Sequence, residues 1–413
     1  MVLTVVGGSY EGHIIGYRLS TPLSSTTAPP PPVFALKAHE GCVRAVAAGG
    51  ALLATSGSDH TISVYNLRKL RTQGNLLQQD GGAALDCLAF YRDSHLLSGG
   101  ADGELCIWRS SDWECLMRMK GHKGAVHAVA IHPSGRVALS VAADSKLMLW
   151  NLTTGKCNYT SALSEPARIV GWSGDGELYA YESKRAVIVH GLRSGELQHT
   201  LAHETARPLA MVFATSELLV TGDDAGALRV WSLLTGQCVC LVEKAHEQRI
   251  KALTLATPMV AADEGKSASA VGGDVLIASA CSDGTISVWC LSAEAGAAAT
   301  KASKKAQKSL GGGGGVALKR MLSVSTRLRL TSIAMSESGG APANGETRSS
   351  AAEAEEEEEE AAAAEEEVVA VKKKKKKKIA AQAEEAAVDE AEEQVEAAPA
   401  KKKKKKARPV ELA

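Results

Sequence analysis

Several features that define common protein classes are missing from this chain of 413 residues. No apolar run is long enough to span a bilayer, and the N-terminus shows no secretory signal pattern, so we expect no membrane partner. The nine cysteines form no C-x-x-C pair, which argues against a zinc site or a disulfide framework. We therefore expect a reduced intracellular protein with structural thiols and no metal or other cofactor.

Two further absences narrow the possible functions. The chain carries no excess of either charge, since 47 basic residues balance 47 acidic ones. The five glycines at 311–315 lack the G-K-[ST] ending of a phosphate-binding loop, so we interpret them as a flexible linker. No off-period acid, base or metal cluster stands out, and we expect a protein that is not an enzyme.

What the chain does contain is a repeat with a period near 41 residues. Short β-like runs end in an aromatic residue or histidine at intervals of 43, 42, 40 and 41 residues, and the last interval of 58 adds an insertion of about 17 residues. This period is typical of four-stranded propeller blades, which pack side by side until a ring closes. The closing residues are Tyr65, Trp108, Trp150, His190, Trp231 and Trp289.

A second pattern within the repeat predicts a polar network in each of several blades. An Asp lies six residues before the closing aromatic, a Ser or Thr lies ten before it, and a His lies further upstream. We expect the His to bond the Asp and the hydroxyl, and the hydroxyl to donate towards the indole. The predicted sets are His39, Thr55, Asp59, Tyr65; His122, Ser140, Asp144, Trp150; and His246, Ser279, Asp283, Trp289.

Three blades depart from this pattern. Ala180 and Lys184 stand at the hydroxyl and Asp places of the blade that ends at His190, and Ala225 stands at the Asp place before Trp231. In the blade that ends at Trp108, Asp80 or a neighbouring Gly stands where the His should be. We expect these blades to be held mainly by apolar packing and to be locally weaker. A Ser, His and Asp together could also indicate a nucleophilic triad, but several equivalent copies favour a structural network over one catalytic site.

The two ends of the chain are predicted to share a blade. Residues 2–19 align with residues 52–67, so the chain starts with the two middle strands of a blade. Residues 325–335 resemble an outer strand followed by an inner one, which would complete it and remove exposed sheet edges. We therefore predict an all-β, seven-bladed propeller over 1–337, with flexible insertions at 21–32, 258–274 and 293–322.

Residues 338–413 are predicted to be a disordered tail rich in Glu, Ala and Lys. Blocks of like charge repel and cannot build a core, and basic blocks suit nuclear import and contact with RNA phosphates. An inert solvated tail is the alternative. The predicted nuclear-localisation residues are Lys372, Lys373, Lys374, Lys375, Lys376, Lys377, Lys378, Lys401, Lys402, Lys403, Lys404, Lys405 and Lys406.

Two basic clusters in the predicted ring are candidate partner contacts. One should face the narrow-loop surface near the channel, and the other lies on a hairpin. An ordinary solvated rim is the alternative for both. The candidate residues are Arg44, Lys123, His127, Arg249 and Lys251 in the first cluster, and Arg68, Lys69 and Arg71 in the second.

Longer phrases carry a more specific resemblance. SGGADGELCIW, DWECL, KGHKGAV and IHPSGRVALSV, with SYEGHIIGY, KAHEQRIKAL and SACSDGTISVW elsewhere, resemble the WD-repeat family of the p21-activated-kinase-interacting protein and its fungal Mak-type counterpart. The likeness covers nearly all of residues 1–336 and includes a Lys-rich C-terminus of the same character. The long tail and the insertion at 258–274 depart from the family.

The resemblance implies a non-enzymatic scaffold in large ribosomal subunit biogenesis and pre-rRNA processing, in the nucleus and nucleolus. Its expected partners are pre-ribosomal assembly factors, ribosomal proteins and, through the basic tail, rRNA. We expect a monomer within a larger complex. The alternative is a signalling adaptor that binds the regulatory domain of a p21-activated-type kinase and negatively regulates the kinase.

Overall fold

A computed structural model describes residues 2–20, 30–77, 84–256, 275–293 and 316–338, all within one compact unit, Met1–Ala341. The insertion predicted at 258–274 and both basic blocks of the tail lie outside the described residues. No helix in the described ranges has the length and apolar character needed to cross a bilayer.

Short strands rich in apolar and β-branched residues, separated by Gly, Asp and Ser turns, build the described part of the chain. The first fourteen strands are β1 (Val2–Ser9), β2 (His13–Ser20), β3 (Pro32–Lys37), β4 (Val43–Gly49), β5 (Leu52–Gly57), β6 (Thr61–Asn66), β7 (Arg71–Leu77), β8 (Leu85–Tyr91), β9 (His95–Gly100), β10 (Glu104–Arg109), β11 (Cys115–Lys120), β12 (Val126–Ile131), β13 (Val137–Ala142) and β14 (Lys146–Asn151). The others are β15 (Lys156–Ala162), β16 (Val170–Trp172), β17 (Leu178–Ser183), β18 (Ala186–Gly191), β19 (Leu197–Ala202), β20 (Pro208–Phe213), β21 (Leu218–Asp223), β22 (Leu228–Ser232), β23 (Cys238–Val242), β24 (Ile250–Leu255), β25 (Val275–Cys281), β26 (Thr285–Ala293), β27 (Val316–Ser325) and β28 (Leu330–Ser338).

These strands form seven antiparallel four-stranded sheets, so the seven-bladed β-propeller is confirmed. Blade 1 has the order β28-β1-β2-β3, and blades 2 to 7 follow along the chain as β4–β7, β8–β11, β12–β15, β16–β19, β20–β23 and β24–β27. In each blade the first strand of this order is the inner strand that lines the central channel.

Blade 1 closes the ring, but its composition differs from the sequence-based prediction. Only β28 comes from the C-terminal part, and its inner-strand pairing with β1 runs from Val2↔Ser338 to Ser9↔Leu330. The outer strand is β3, which starts at Pro32 at the edge of the loop predicted for 21–32. Residues 316–322, which we placed in an insertion, belong instead to β27, the outer strand of blade 7.

The hydrophobic core lies between blades rather than within one. One cluster joins Leu97 and Met119 of blade 3 to Val126 and Trp150 of blade 4, and each of these side chains is at most 2 % exposed. Each sheet therefore needs both of its neighbours to cover its faces. A ring of seven satisfies that need without leaving an open end.

The closing strand is also tied to the neighbouring blade by its hydroxyl groups. Thr331 Oγ1 donates to the carbonyl of Val43 at 2.7 Å, and Ser332 Oγ accepts from the amide of Val46 at 3.1 Å. Both partners lie on β4, the inner strand of blade 2. Hence β28 bonds the start of the chain on one side and packs against blade 2 on the other.

Candidate functional site

The network of blade 4 contains the four predicted residues within hydrogen-bonding distance. The carboxylate of Asp144 only accepts, so His122 Nδ1–H donates to it at 3.1 Å, and Ser140 Oγ–H donates to His122 Nε2 at 2.7 Å. The Trp150 indole N–H donates to Ser140 Oγ at 2.8 Å. The expected direction of this last bond was wrong, because an indole nitrogen has a hydrogen to give and no lone pair to receive one.

The network of blade 2 has the same first three members. His39 Nδ1 lies 3.0 Å from Asp59 Oδ1, and His39 Nε2 lies 2.9 Å from Thr55 Oγ1. Tyr65 is buried at the place of the indole. Burial opposes ionisation of Asp59, but bonds from Thr61 and the charge of His39 outweigh it and lower the pKa of that carboxyl.

Blade 7 adds a relay to the same arrangement. His246 Nδ1–H donates to Thr285 Oγ1 at 2.9 Å, and the Thr285 hydroxyl donates to Asp283 at 2.7 Å. Ser279 Oγ then joins His246 Nε2 at 2.6 Å and the indole N–H of Trp289 at 2.8 Å. The predicted members meet, with Thr285 between the imidazole and the carboxylate.

Metal-binding potential within the described residues is confined to this blade. Ligand atoms of His246, Cys281 and Asp283 lie within 4.8 Å of one another. Both ring nitrogens of His246 already bond Thr285 and Ser279, and burial raises the pKa of the Cys281 thiol. The polar network accounts for the cluster, and we assign no metal to it.

Blade 6 keeps a polar network although Ala225 occupies the Asp place of the repeat. Trp231 donates to Thr221 at 2.9 Å, and Thr221 lies 3.2 Å from His203 Nε2. Arg229 Nη1 donates to His203 Nδ1 at 3.0 Å and also pairs with the fully buried carboxylate of Asp223. Since the guanidinium only donates, His203 must carry its proton on Nε2, the reverse of the tautomer in blade 4. We expected mainly apolar packing in this blade, and the structure adds this polar network to it.

Blade 5 replaces the network with stacked rings. In the other blades the hydroxyl residue pairs with the residue two before the closing position, as in Ser140↔Met148; here that partner, Ile188, pairs with Tyr181. The hairpin is one residue shorter, so Tyr181 and not Ala180 takes the hydroxyl place. Tyr181 and Tyr179 stack on His190 with ring centroids 5.8 and 5.3 Å away.

The same register defines one equivalent position at the start of each inner strand. In blade 4, for example, Ser140 pairs with Val129 of the inner strand, and the position is His127, two residues before Val129. In six blades this residue is skipped in the pairing between the first and second strands. Because inner strands line the channel, these positions surround its mouth. In blade order from 2 to 7 and then 1, they are Arg44, Asp86, His127, Arg168, Leu209, Lys251 and Thr331.

Four cations lie at this mouth, and we call them the cationic cluster. Arg168 and Lys251 occupy two of the equivalent positions, Arg249 directly precedes β24, and Arg329 directly precedes β28. Partial burial, and then the charges of Arg249, Arg168 and Arg329, lower the pKa of Lys251. This coupling joins blades 5, 7 and 1 across the channel. Within the described residues, none of the four has a carboxylate within 4 Å, although Arg329 lies 4.9 Å from the ring of Tyr10.

The remaining predicted contact residues are distributed differently. Arg44 pairs with Asp86 at 3.0 Å, which neutralises that side of the mouth. His127 is half-buried, and burial followed by the charge of Arg168 lowers its pKa. Lys123 is exposed beside the network of blade 4.

The second basic cluster is separated from the mouth by the height of a blade. Arg68 and Lys69 lie in the turn between β6 and β7, and their amides donate to Asn66 Oδ1; Arg71 begins β7. Antiparallel strands place this turn at the face opposite Arg44. The structure therefore does not join the two predicted clusters.

An acidic residue beneath the mouth was also missed by the sequence pattern. The side chain of Glu182 is 2 % exposed; it accepts from Arg207 Nε and from the amide of Arg168 at 3.2 Å. These bonds tie blade 5 to the link that enters blade 6. No periodic signal marks Glu182, Arg168 or Arg329, because each occupies a position where other blades carry different residues.

Comparison with known proteins agrees with this geometry. A sequence model of the WD domain, G-beta repeat family matches residues 30–66, 74–109 and 113–151. A zebrafish p21-activated protein kinase-interacting protein 1-like is 38 % identical over 251 residues, which cover 61 % of this chain and 67 % of the relative. The chain belongs to this WD-repeat family. Each matched repeat starts in the outer strand of one blade and ends in the third strand of the next, so the repeats interlock the blades.

Other family members extend from birds to yeast. A chicken p21-activated protein kinase-interacting protein 1-like is 35 % identical over 289 residues, or 70 % of this chain and 72 % of the relative. The Saccharomyces cerevisiae protein MAK11 is 26 % identical over 275 residues, or 59 % of this chain and 64 % of the relative. The family is typified by WD-repeat scaffolds, and the names of the zebrafish and chicken relatives describe interacting proteins rather than enzymes.

Replacing Arg229 tests whether blade 6 depends on its buried ion pair. Arg229→Met leaves the Asp223 carboxylate buried without its cation, so we expect a loss of about 3–5 kcal/mol in the free energy of unfolding. Urea denaturation followed by tryptophan fluorescence measures it. The control Arg193→Met removes an exposed pair with Glu177 and should cost about 1 kcal/mol or less. Equal losses in the two variants would show that the pair contributes little.

The network histidines predict acid sensitivity. Burial lowers the pKa of His203 and of His246 to about 4, from an ordinary value near 6.5. The unfolded chain therefore takes up protons first, and stability present above pH 6.5 is lost as the pH falls towards 4, by about 1.4 kcal/mol per pKa unit for each histidine. Melting temperatures measured from pH 7.5 to 4.5 should fall steeply, and less steeply in the His203→Gln/His246→Gln variant. An unchanged slope in that variant would contradict this assignment.

Proposed function

We propose that this protein is a non-enzymatic scaffold in the biogenesis of the large ribosomal subunit and in pre-rRNA processing. The observation that carries the proposal is a closed ring whose channel mouth holds cations with no carboxylate within 4 Å among the residues that the structure describes. The His, Ser or Thr, and Asp side chains recur in several described blades as buried hydrogen-bond networks that hold the strands together. Among these copies, none differs from the others in a way that would mark a reaction centre. A rigid ring that presents charge on one face suits simultaneous contact with several partners.

The expected partners follow from the resemblance to the Mak-type proteins and from the charge of the chain. Pre-ribosomal assembly factors and ribosomal proteins would contact the propeller, which acts as one copy within the larger particle. The basic blocks at 372–378 and 401–406 would bind rRNA phosphates without reading sequence, and would place the protein in the nucleus and nucleolus.

A second candidate is a signalling adaptor that binds and negatively regulates a p21-activated-type kinase. The names of the zebrafish and chicken relatives favour it, because both describe interaction with such a kinase. The two functions use the same kind of surface and differ in their partner.

Depletion of the protein from its own cells separates these functions. A scaffold in ribosome biogenesis should sediment with pre-ribosomal particles on sucrose gradients. Its loss should lower free large subunits and accumulate their rRNA precursors. Recovery of a kinase without rRNA, together with unchanged precursor levels, would support the adaptor and reject the ribosomal role.

The basic blocks are tested by rescue of the depleted cells. A chain lacking residues 372–406 should be retained less well in the nucleolus than the full chain, because its phosphate-binding charge is removed. Fluorescence microscopy of tagged chains measures retention. The control is a chain lacking residues 339–367, which include the acidic block at 355–360 and neither basic block. Unchanged location of the 372–406 deletion would remove the role given to these blocks.

A further inference from the structure

We propose that the cationic cluster binds the carboxylates of an acidic protein segment that docks at the mouth of the channel. The inference rests on the binding role proposed above, and it does not depend on the ribosomal setting. It adds the chemistry of the partner and the residues that recognise it.

The cluster lacks the counter-charge that neighbouring cations possess. Arg44 pairs with Asp86 and Arg207 pairs with Glu182, yet Lys251 meets three guanidinium groups in the described part of the chain. All four side chains are exposed, yet like charges that lie near one another still repel each other at low salt. A carboxylate placed between them would replace this repulsion with attraction.

The backbone positions these cations before any partner arrives. Lys251 follows the first paired residue of β24 at a ladder irregularity, and Arg168 is anchored through its amide to the buried Glu182. Arg329 immediately precedes β28 and bonds through its carbonyl to the amide of Tyr10 at 2.8 Å. Because three rigid blades hold the main chain at these points, little backbone entropy remains to be lost on binding.

The surroundings of the cluster favour a protein segment over nucleic acid. The Arg44–Asp86 pair neutralises the opposite side of the mouth. Glu11 lies near Cys42, because burial and then the charge of Glu11 raise the pKa of that thiol. A continuous polyanion would therefore find unpaired positive charge on only part of the mouth. Half-buried Leu209 offers an apolar contact at the equivalent position of blade 6, which suits a peptide with mixed side chains.

Peptide binding to the purified full-length chain tests the proposal. The probe is a short fluorescein-labelled peptide of glutamate, leucine and serine, compared by fluorescence anisotropy with its glutamine counterpart and with oligouridylate of equal length. The glutamate peptide should bind about tenfold more tightly than its glutamine counterpart, and Lys251→Gln or Arg168→Gln should weaken it about tenfold. Oligouridylate, which the basic blocks at 372–378 and 401–406 would also bind, should keep its affinity in both variants. Lys123→Gln, which removes the same charge elsewhere near this face, should change the affinity less than about twofold.

Three results would overturn the proposal. Equal affinity for the glutamate and glutamine peptides would show that carboxylates are not recognised. An equal loss in the Lys123→Gln control would show general attraction rather than a site. Weaker binding of oligouridylate in Lys251→Gln or Arg168→Gln, by as much as the glutamate peptide loses, would make this face a nucleic-acid surface. Sedimentation with pre-ribosomes is measured separately, so failure of the ribosomal role and failure of carboxylate recognition give different results.

Discussion

The pairing of β28 with β1 is the contact on which the rest of the structure depends. Each blade covers its faces with its two neighbours, so an open array would expose apolar surface on the first and last sheets. By joining the two ends of the described ring in one sheet, this pairing removes both free faces. The position of every channel residue, including Lys251 and Arg168, follows from that closure.

Within the blades, one structural requirement is met in several ways. Each blade must hold the hairpin of its second and third strands against the segment that leads into its inner strand. Blade 4 does so with the chain Trp150–Ser140–His122–Asp144, and blade 6 keeps the imidazole but reverses its tautomer and substitutes Arg229 for the carboxylate. Blade 5 uses ring stacking around His190 instead. The fold therefore tolerates loss of the polar network where another contact holds the same strands.

Sequence periodicity was sufficient to predict the architecture and the networks that follow it. The spacing of Trp108 and Trp150 gave the period, and the His122 set could be aligned because its members repeat. What could not be predicted depends on three-dimensional register. Val316–Ser325 directly follows the glycine run at 311–315 that we interpreted as a linker. Only its pairing with β26 identifies it as a strand of blade 7. Arg168 and Arg329 both act on the charge of Lys251 at the channel mouth, from positions with no common sequence signal.

The way in which blade 1 is assembled sets the order of events during synthesis. Strands β1 to β3 emerge first, but the inner edge of β1 has no partner until Leu330–Ser338 leaves the ribosome. Blades 2 to 7 can form as they appear, whereas the ring stays open until all of them have been synthesised. Nascent chains would thus pass through a long-lived intermediate in which the edge of β1 is unpaired and can bind strands of other chains. Chaperones protect species of this kind.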